Sequence, residues 1–174
     1  MITRSEISAG RGCNSHRRLF FNMSIKDLYS ELRKKHKELP VFEDIDKEFE
    51  ISVVEEPFLL SNIRRKAMEK VEFYAKIIGE LLQPENDLVN MYECRDFDED
   101  EKERIYDVLK KLMFFLRSSA ETGLICDEKE EVKFICDFLK GWNDLKPDLL
   151  SIISKIKDSW EKETELKEDL GYFG

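Results

Sequence analysis

Absences narrow the chemistry of this chain before anything else does. Its 174 residues hold two histidines, four cysteines, a single glutamine (Gln83) and no glycine-rich loop. A missing glycine-rich loop removes the usual phosphate cradle. Cys13, Cys94, Cys126 and Cys136 show neither CxxC nor any other metal-finger spacing, which predicts free thiols in a reducing, cytoplasmic setting. No serine or cysteine sits in a recognisable nucleophile motif. No apolar run approaches the roughly eighteen residues that cross a bilayer, so the sequence predicts a soluble chain without a membrane partner.

What is present points to surfaces more than to reactions. Apolar residues make up 41% of the chain, enough for one core, while charged residues reach 39%, well above the usual quarter. Twelve phenylalanines argue against general disorder. Scarce glutamine beside abundant Glu, Lys and Ile matches the amide-poor, ion-pair-rich habit of thermophile proteins. The net charge is −9, unevenly spread: residues 1–22 carry four arginines against Glu6, a net +3, which leaves −12 on the rest. A body that acidic is repelled by phosphate backbones, so direct nucleic-acid binding by it is not expected. Residues 1–22 lack periodicity and resemble a transit peptide only in being Arg- and Ser-rich and acid-poor. They read as a disordered basic extension, with Met23 an alternative start, ahead of one helical domain over 23–174.

Helical spacing runs through that domain. Ser24 with Asp27 forms a capping-box pattern, and Ile25, Leu28, Tyr29 and Leu32 follow at i, i+3, i+4 and i+7. Pro40 stops this first helix, and His36 in its basic last turn reads as solvated. Residues 41–56 are ambiguous: Phe42, Ile45 and Phe49 suggest a helix, while Phe49, Ile51 and Val53 alternate like a strand. A lone strand cannot satisfy its backbone, so this stretch is expected to be an extended or one-turn connection. Pro57 suits the first turn of a long helix to Leu82 with Ile63, Ala67, Val71, Tyr74, Ile78 and Leu81 on one face. A short helix is expected around Leu88–Tyr92. Asp98 with Glu101 caps another helix, whose wide stripe, broadened by Phe114 and Phe115, places it in the middle of a bundle. Asp127 with Glu130 caps the next, which Gly141 and Asn143 are expected to break. A last helix then starts near Asp144, with Pro147 in its first turn. The sum is an all-α bundle of about five helices without a substantial β-sheet.

Candidate chemistry is sparse. Glu69-x-x-Glu72 and Glu93-x-x-Asp96 are the carboxylate pairs a magnesium-dependent nucleotide hydrolase would need, since Mg²⁺ takes oxygen ligands. At 100° per residue, however, Glu69 falls opposite the apolar face of its helix, which suits a solvated face better. The run Asp96, Asp98, Glu99, Asp100, Glu101 and Glu103 lacks the glycine of a calcium loop and reads as helix N-terminal charge, with docking of a basic partner as the sharper alternative. Arg64, Arg65 and Lys66 interrupt an apolar helix start. Such residues ordinarily snorkel or pair with carboxylates, yet arginine is also favoured at interfaces. No catalytic residue, cofactor or metal site is expected, nor a small-molecule ligand.

Three segments resemble the helical A domain of GINS-complex subunits. Glu31-Leu32 followed by Leu39-Pro40-Val41-Phe42-Glu43-Asp44 is similar to a first helix ending in a Leu-Pro-x-Phe turn with acidic residues. Leu59-Leu60-Ser61-Asn62-Ile63-Arg64-Arg65, with Tyr74 nine residues on, resembles a Leu-Leu-x-Asn-Arg-Arg start with one residue inserted. The acidic 98–103 run leading into Tyr106, Leu109, Leu112, Phe115, Leu116, Arg117 and Ser118 resembles that family's acidic-start helix. The likeness covers roughly residues 24–120, and residues 127–170 depart from it, reading as two helices where the family carries a small β-rich domain. It implies a non-enzymatic scaffold that assembles with paralogous subunits and bridges a replicative helicase to other replication proteins. Arg64, Arg65 and Tyr74 would then be interface residues. A homomeric bundle is the alternative that the residues alone leave open.

Overall fold

A computed structural model of the chain describes residues 24–53, 58–84 and 87–161. The basic extension over 1–22, Pro57 and everything beyond Glu161 lie outside them. The described residues form six α-helices, one 3-10 turn and no strand: an all-α bundle.

Helix α1 (Ile25–Lys35) starts as its sequence dictates. Ser24 Oγ accepts the Asp27 N–H at 3.2 Å, while the Asp27 carboxylate accepts the Ser24 N–H at 3.3 Å. Its apolar stripe turns Tyr29 into the core, where the hydroxyl donates to the Pro40 carbonyl at 2.9 Å. His36 is not solvated as expected. It is 8% exposed, and its Nε2 lies 2.6 Å from Glu128, which draws the end of this helix onto the bundle.

The connection after Pro40 is a two-turn helix, α2 (Phe42–Phe49), followed by a 3-10 turn at Ile51–Val53. The expected extended or one-turn connection is therefore corrected. Helical spacing sends Ile45 and Phe49 into the core at 2% and 4% exposure. Glu50 then takes a left-handed conformation (φ 52°), and Asp46 accepts the Ser52 N–H at 2.7 Å. That sharp turn, not strand alternation, buries Ile51 as well.

The three long helices carry the bundle: α3 (Leu59–Leu82), α5 (Glu99–Ile125) and α6 (Glu128–Glu161). Arg64 meets Ser119 and Glu131, Tyr74 meets Trp142, and Phe115 meets Phe138. Helix α5 thus runs antiparallel to both its neighbours. A short helix, α4 (Leu88–Cys94), closes the far end, where Tyr92 donates to the Ser159 carbonyl at 2.8 Å and its ring lies 4.6 Å from Trp160.

Helix α6 runs unbroken for 34 residues through Gly141 and Pro147, contrary to the expected break there. An interior glycine costs about 1 kcal/mol and an interior proline about 3 kcal/mol relative to alanine. Against these stand Ile135, Phe138, Trp142, Leu145, Leu149, Ile152 and Ile156, all buried on one continuous stripe. At roughly 1.5–3 kcal/mol for each buried side chain, the stripe outweighs both breakers. Gly141 has its own packing reason: a Cβ there would stand 2.8 Å from Phe115 Cζ.

Candidate interaction site

The end of the bundle where α5 turns into α6 gathers the unusual features of the molecule. At its base Arg64 is 8% exposed and Glu131 5%. The guanidinium donates to Glu131 through Nε at 2.8 Å and Nη2 at 3.1 Å, and through Nη1 to Ser119 O at 2.9 Å and Ser119 Oγ at 3.0 Å. Ser61 Oγ adds a bond to Glu131 at 2.9 Å. One side chain therefore ties α3, α5 and α6 together in the fork geometry that only arginine offers. Gly123 makes room for it, since a Cβ there would lie 3.1 Å from Nη2. No buried side-chain nitrogen or oxygen among the described residues is left without a partner.

The three residues expected at an interface do not share one surface. Arg64 is internal, committed to its own chain. Arg65 is exposed and donates to Asn62 Oδ1, beside an open groove of about 400 Å³ that it lines with Met68, Glu72, Met113 and Arg117. Tyr74 lies nine residues further, about 180° around the helix from Arg65. It is half-buried, with its ring 6.0 Å from Trp142 and 5.3 Å from Phe73.

The carboxylate pairs do not assemble either. Glu69 is exposed and paired with Lys66 at 2.8 Å, Glu72 is exposed, and Glu93 accepts from Trp160 Nε1 at 2.8 Å. Among the described residues, no three His, Cys, Asp or Glu side chains stand together as a metal site. Part of the acidic run is committed to the fold. Hydrogen bonding to Lys155, then to the Asp98 N–H, holds the Glu101 carboxyl below its ordinary value.

Sequence reasoning missed the outer surface of this same corner. Leu124 is 86% exposed, Phe58 76%, Phe114 68% and Ile125 51%. Phe114 was expected to broaden a buried stripe, and it faces outward instead. Phe58 (φ 74°) and Cys126 (φ 55°) are both left-handed, an uncommon conformation for side chains of their kind. Two clefts flank the turn. One, of about 430 Å³, lies between Phe58, Leu59 and Cys126 over the Arg64–Glu131 pair. The other, of about 350 Å³, runs between Phe114 on α5 and Phe134 on α6.

No protein-family model, no curated protein and no solved structure matches the chain. The class of the molecule is therefore what its own fold defines: an all-α bundle with an apolar, cleft corner. None of its described helices is long and apolar enough to cross a membrane.

Proposed function

We propose that this chain is a non-enzymatic interaction scaffold and that the corner between α5 and α6 is its docking surface. The observation that carries this reading is that four large apolar side chains are left in solvent on the elements around these two clefts: Phe58, Phe114, Leu124 and Ile125. Each is removed from water only when another molecule covers it, and exposed apolar surface beside a cleft is where partners gain the most from burial. Beneath this surface, the Arg64–Glu131–Ser119 network fixes the three helices, so the surface is preorganised for a partner.

The three segments similar to GINS A domains supply the finer proposal: a subunit that links a replicative helicase to other replication proteins in the cytoplasm. The test is affinity capture from native cells with the wild-type chain and with F58S/L124S/I125S, both checked for helicity. Replicative helicase subunits held by the wild type and lost from the variant are the expected result. Equal recovery by both forms would overturn the docking corner. Recovery of the chain alone, with a dimer by light scattering, would favour the homomeric reading. Magnesium-dependent nucleotide turnover abolished by Glu72→Gln would replace the scaffold with an enzyme.

A further inference from the structure

The cleft between α5 and α6 has a chemical character that specifies its occupant. Its floor is aromatic: Phe134 and Phe138 are 8% and 4% exposed and stack in parallel with centroids 5.8 Å apart. Phe115 stands edge-on to Phe138 at 5.1 Å. Phe114 and Ile125 rise at its two ends on α5. They stand eleven residues apart, about 16 Å at 1.5 Å per residue, the length of three helical turns.

Its rim is charged and unbalanced. Glu121 projects from α5 and Glu130 and Asp137 from α6, against the single cation Lys133. Elsewhere on the surface several carboxylates are paired with lysines, as in Lys26–Glu43, Lys34–Glu31, Lys66–Glu69, Lys102–Glu99 and Lys110–Asp107. Others, such as Asp100, Glu103 and Asp148, form no ion pair among the described residues. What sets the groove apart is that its carboxylates flank an apolar floor. Glu121, Glu130 and Asp137 form no ion pair among the described residues. Like charges left unneutralised around an apolar floor oppose folding slightly and favour a cationic occupant.

We infer that this groove binds an amphipathic helix of a partner protein, with aliphatic side chains on one face and lysine or arginine along both edges of it. Leucine-sized side chains at i, i+3 or i+4, and i+7 would fill the space between Phe114 and Ile125 over Phe134 and Phe138. Flanking cations would meet Glu121 on one wall and Glu130 and Asp137 on the other. Charge complementarity of this kind sets orientation and association rate, and it weakens as salt rises.

This inference rests on the scaffold reading but can fail without it. The probe is a labelled model peptide with leucines at helix spacing and lysines elsewhere, titrated into the full chain by fluorescence anisotropy. Binding should weaken with ionic strength and fall about tenfold in E121K/E130K/D137K. An equal charge change at exposed sites away from the groove, D100K/E103K/D148K, should leave it unchanged. Phe114→Ser should also weaken binding, and it retains the test if the triple variant does not fold. Equal loss in both triple variants, or equal binding of a peptide with every lysine replaced by glutamate, would overturn the groove. If partner capture still depended on Phe58, Leu124 and Ile125 in that event, the scaffold reading would stand alone.

Discussion

Replacing Arg64 with methionine keeps most of the aliphatic volume and removes the cation that Glu131 faces. The carboxylate, 5% exposed, would then keep only the Ser61 hydroxyl, and Ser119 would lose two donors. Breaking a buried pair by deleting one partner costs about 3–5 kcal/mol, because the remaining charge is stranded. With a urea dependence of roughly 2 kcal/mol per molar, that corresponds to a midpoint drop of about 1.5–2.5 M. Glu131→Leu should cost a comparable amount for the mirrored reason. The double variant R64M/E131L removes both charges and should recover most of either loss, since apolar replacement of a whole buried pair is often near neutral. The assay is urea unfolding followed by circular dichroism, analysed as a double-mutant cycle. An R64M loss under about 1 kcal/mol, or a double variant whose cost equals the sum of the singles, would refute the reasoning.

Other consequences are quick to check. Gly79→Ala meets nothing within 4 Å and should stabilise by roughly 0.5–1 kcal/mol, whereas Gly141→Ala should destabilise by about 1 kcal/mol or more by displacing Phe115; thermal melts that rank them the other way would contradict the packing at Phe115. Acid should lower the stability of the chain progressively. Hydrogen bonds from Lys146 to Glu48, from Lys155 to Glu101 and from Lys35 to Glu128 hold all three carboxyls below 4.5 in the folded state. Their contribution is present above that value and lost as pH falls below it, so a urea midpoint that rises on acidification would count against these pairs. Among thiols, exposed Cys126 should alkylate faster than Cys136, whose burial pushes its thiol up from 9.0 and keeps the reactive thiolate scarce. Peptide mapping after a short maleimide pulse reads the order directly.

Much of the fold was legible because helix periodicity and caps are local signals. Ser24 with Asp27 and Asp98 with Glu101 both form capping boxes, and the stripe from Ile63 to Leu81 packs inward except for the half-buried Tyr74. Failures occurred where distant packing overrode local preference. Gly141 looked like a helix breaker, but its missing Cβ is what admits Phe115 from a neighbouring helix. Phe49, Ile51 and Val53 alternate in sequence, and only the left-handed Glu50 shows that the chain turns there. The candidate site was less legible. Arg64 stood out as a charge on an apolar face, yet its partner Glu131 is 67 residues away. A clue existed, since Glu131 sits four residues before Ile135 on its helix's own apolar stripe. Phe114 and Leu124 gave no such clue, because a stripe that wraps most of a helix does not say which edge is left uncovered.

Under the scaffold reading, the α5–α6 corner is covered by another protein in the cell. Photo-crosslinking tests it most directly, with benzoylphenylalanine placed in the full chain at Phe114 or Leu124, and at Glu103 as a control, then irradiated in native cells. The prediction is a discrete heavier adduct, containing a second, different protein, from Phe114 and Leu124 and none from Glu103. Identical adducts from all three positions, or a corner that yields none while Glu103 does, would contradict it.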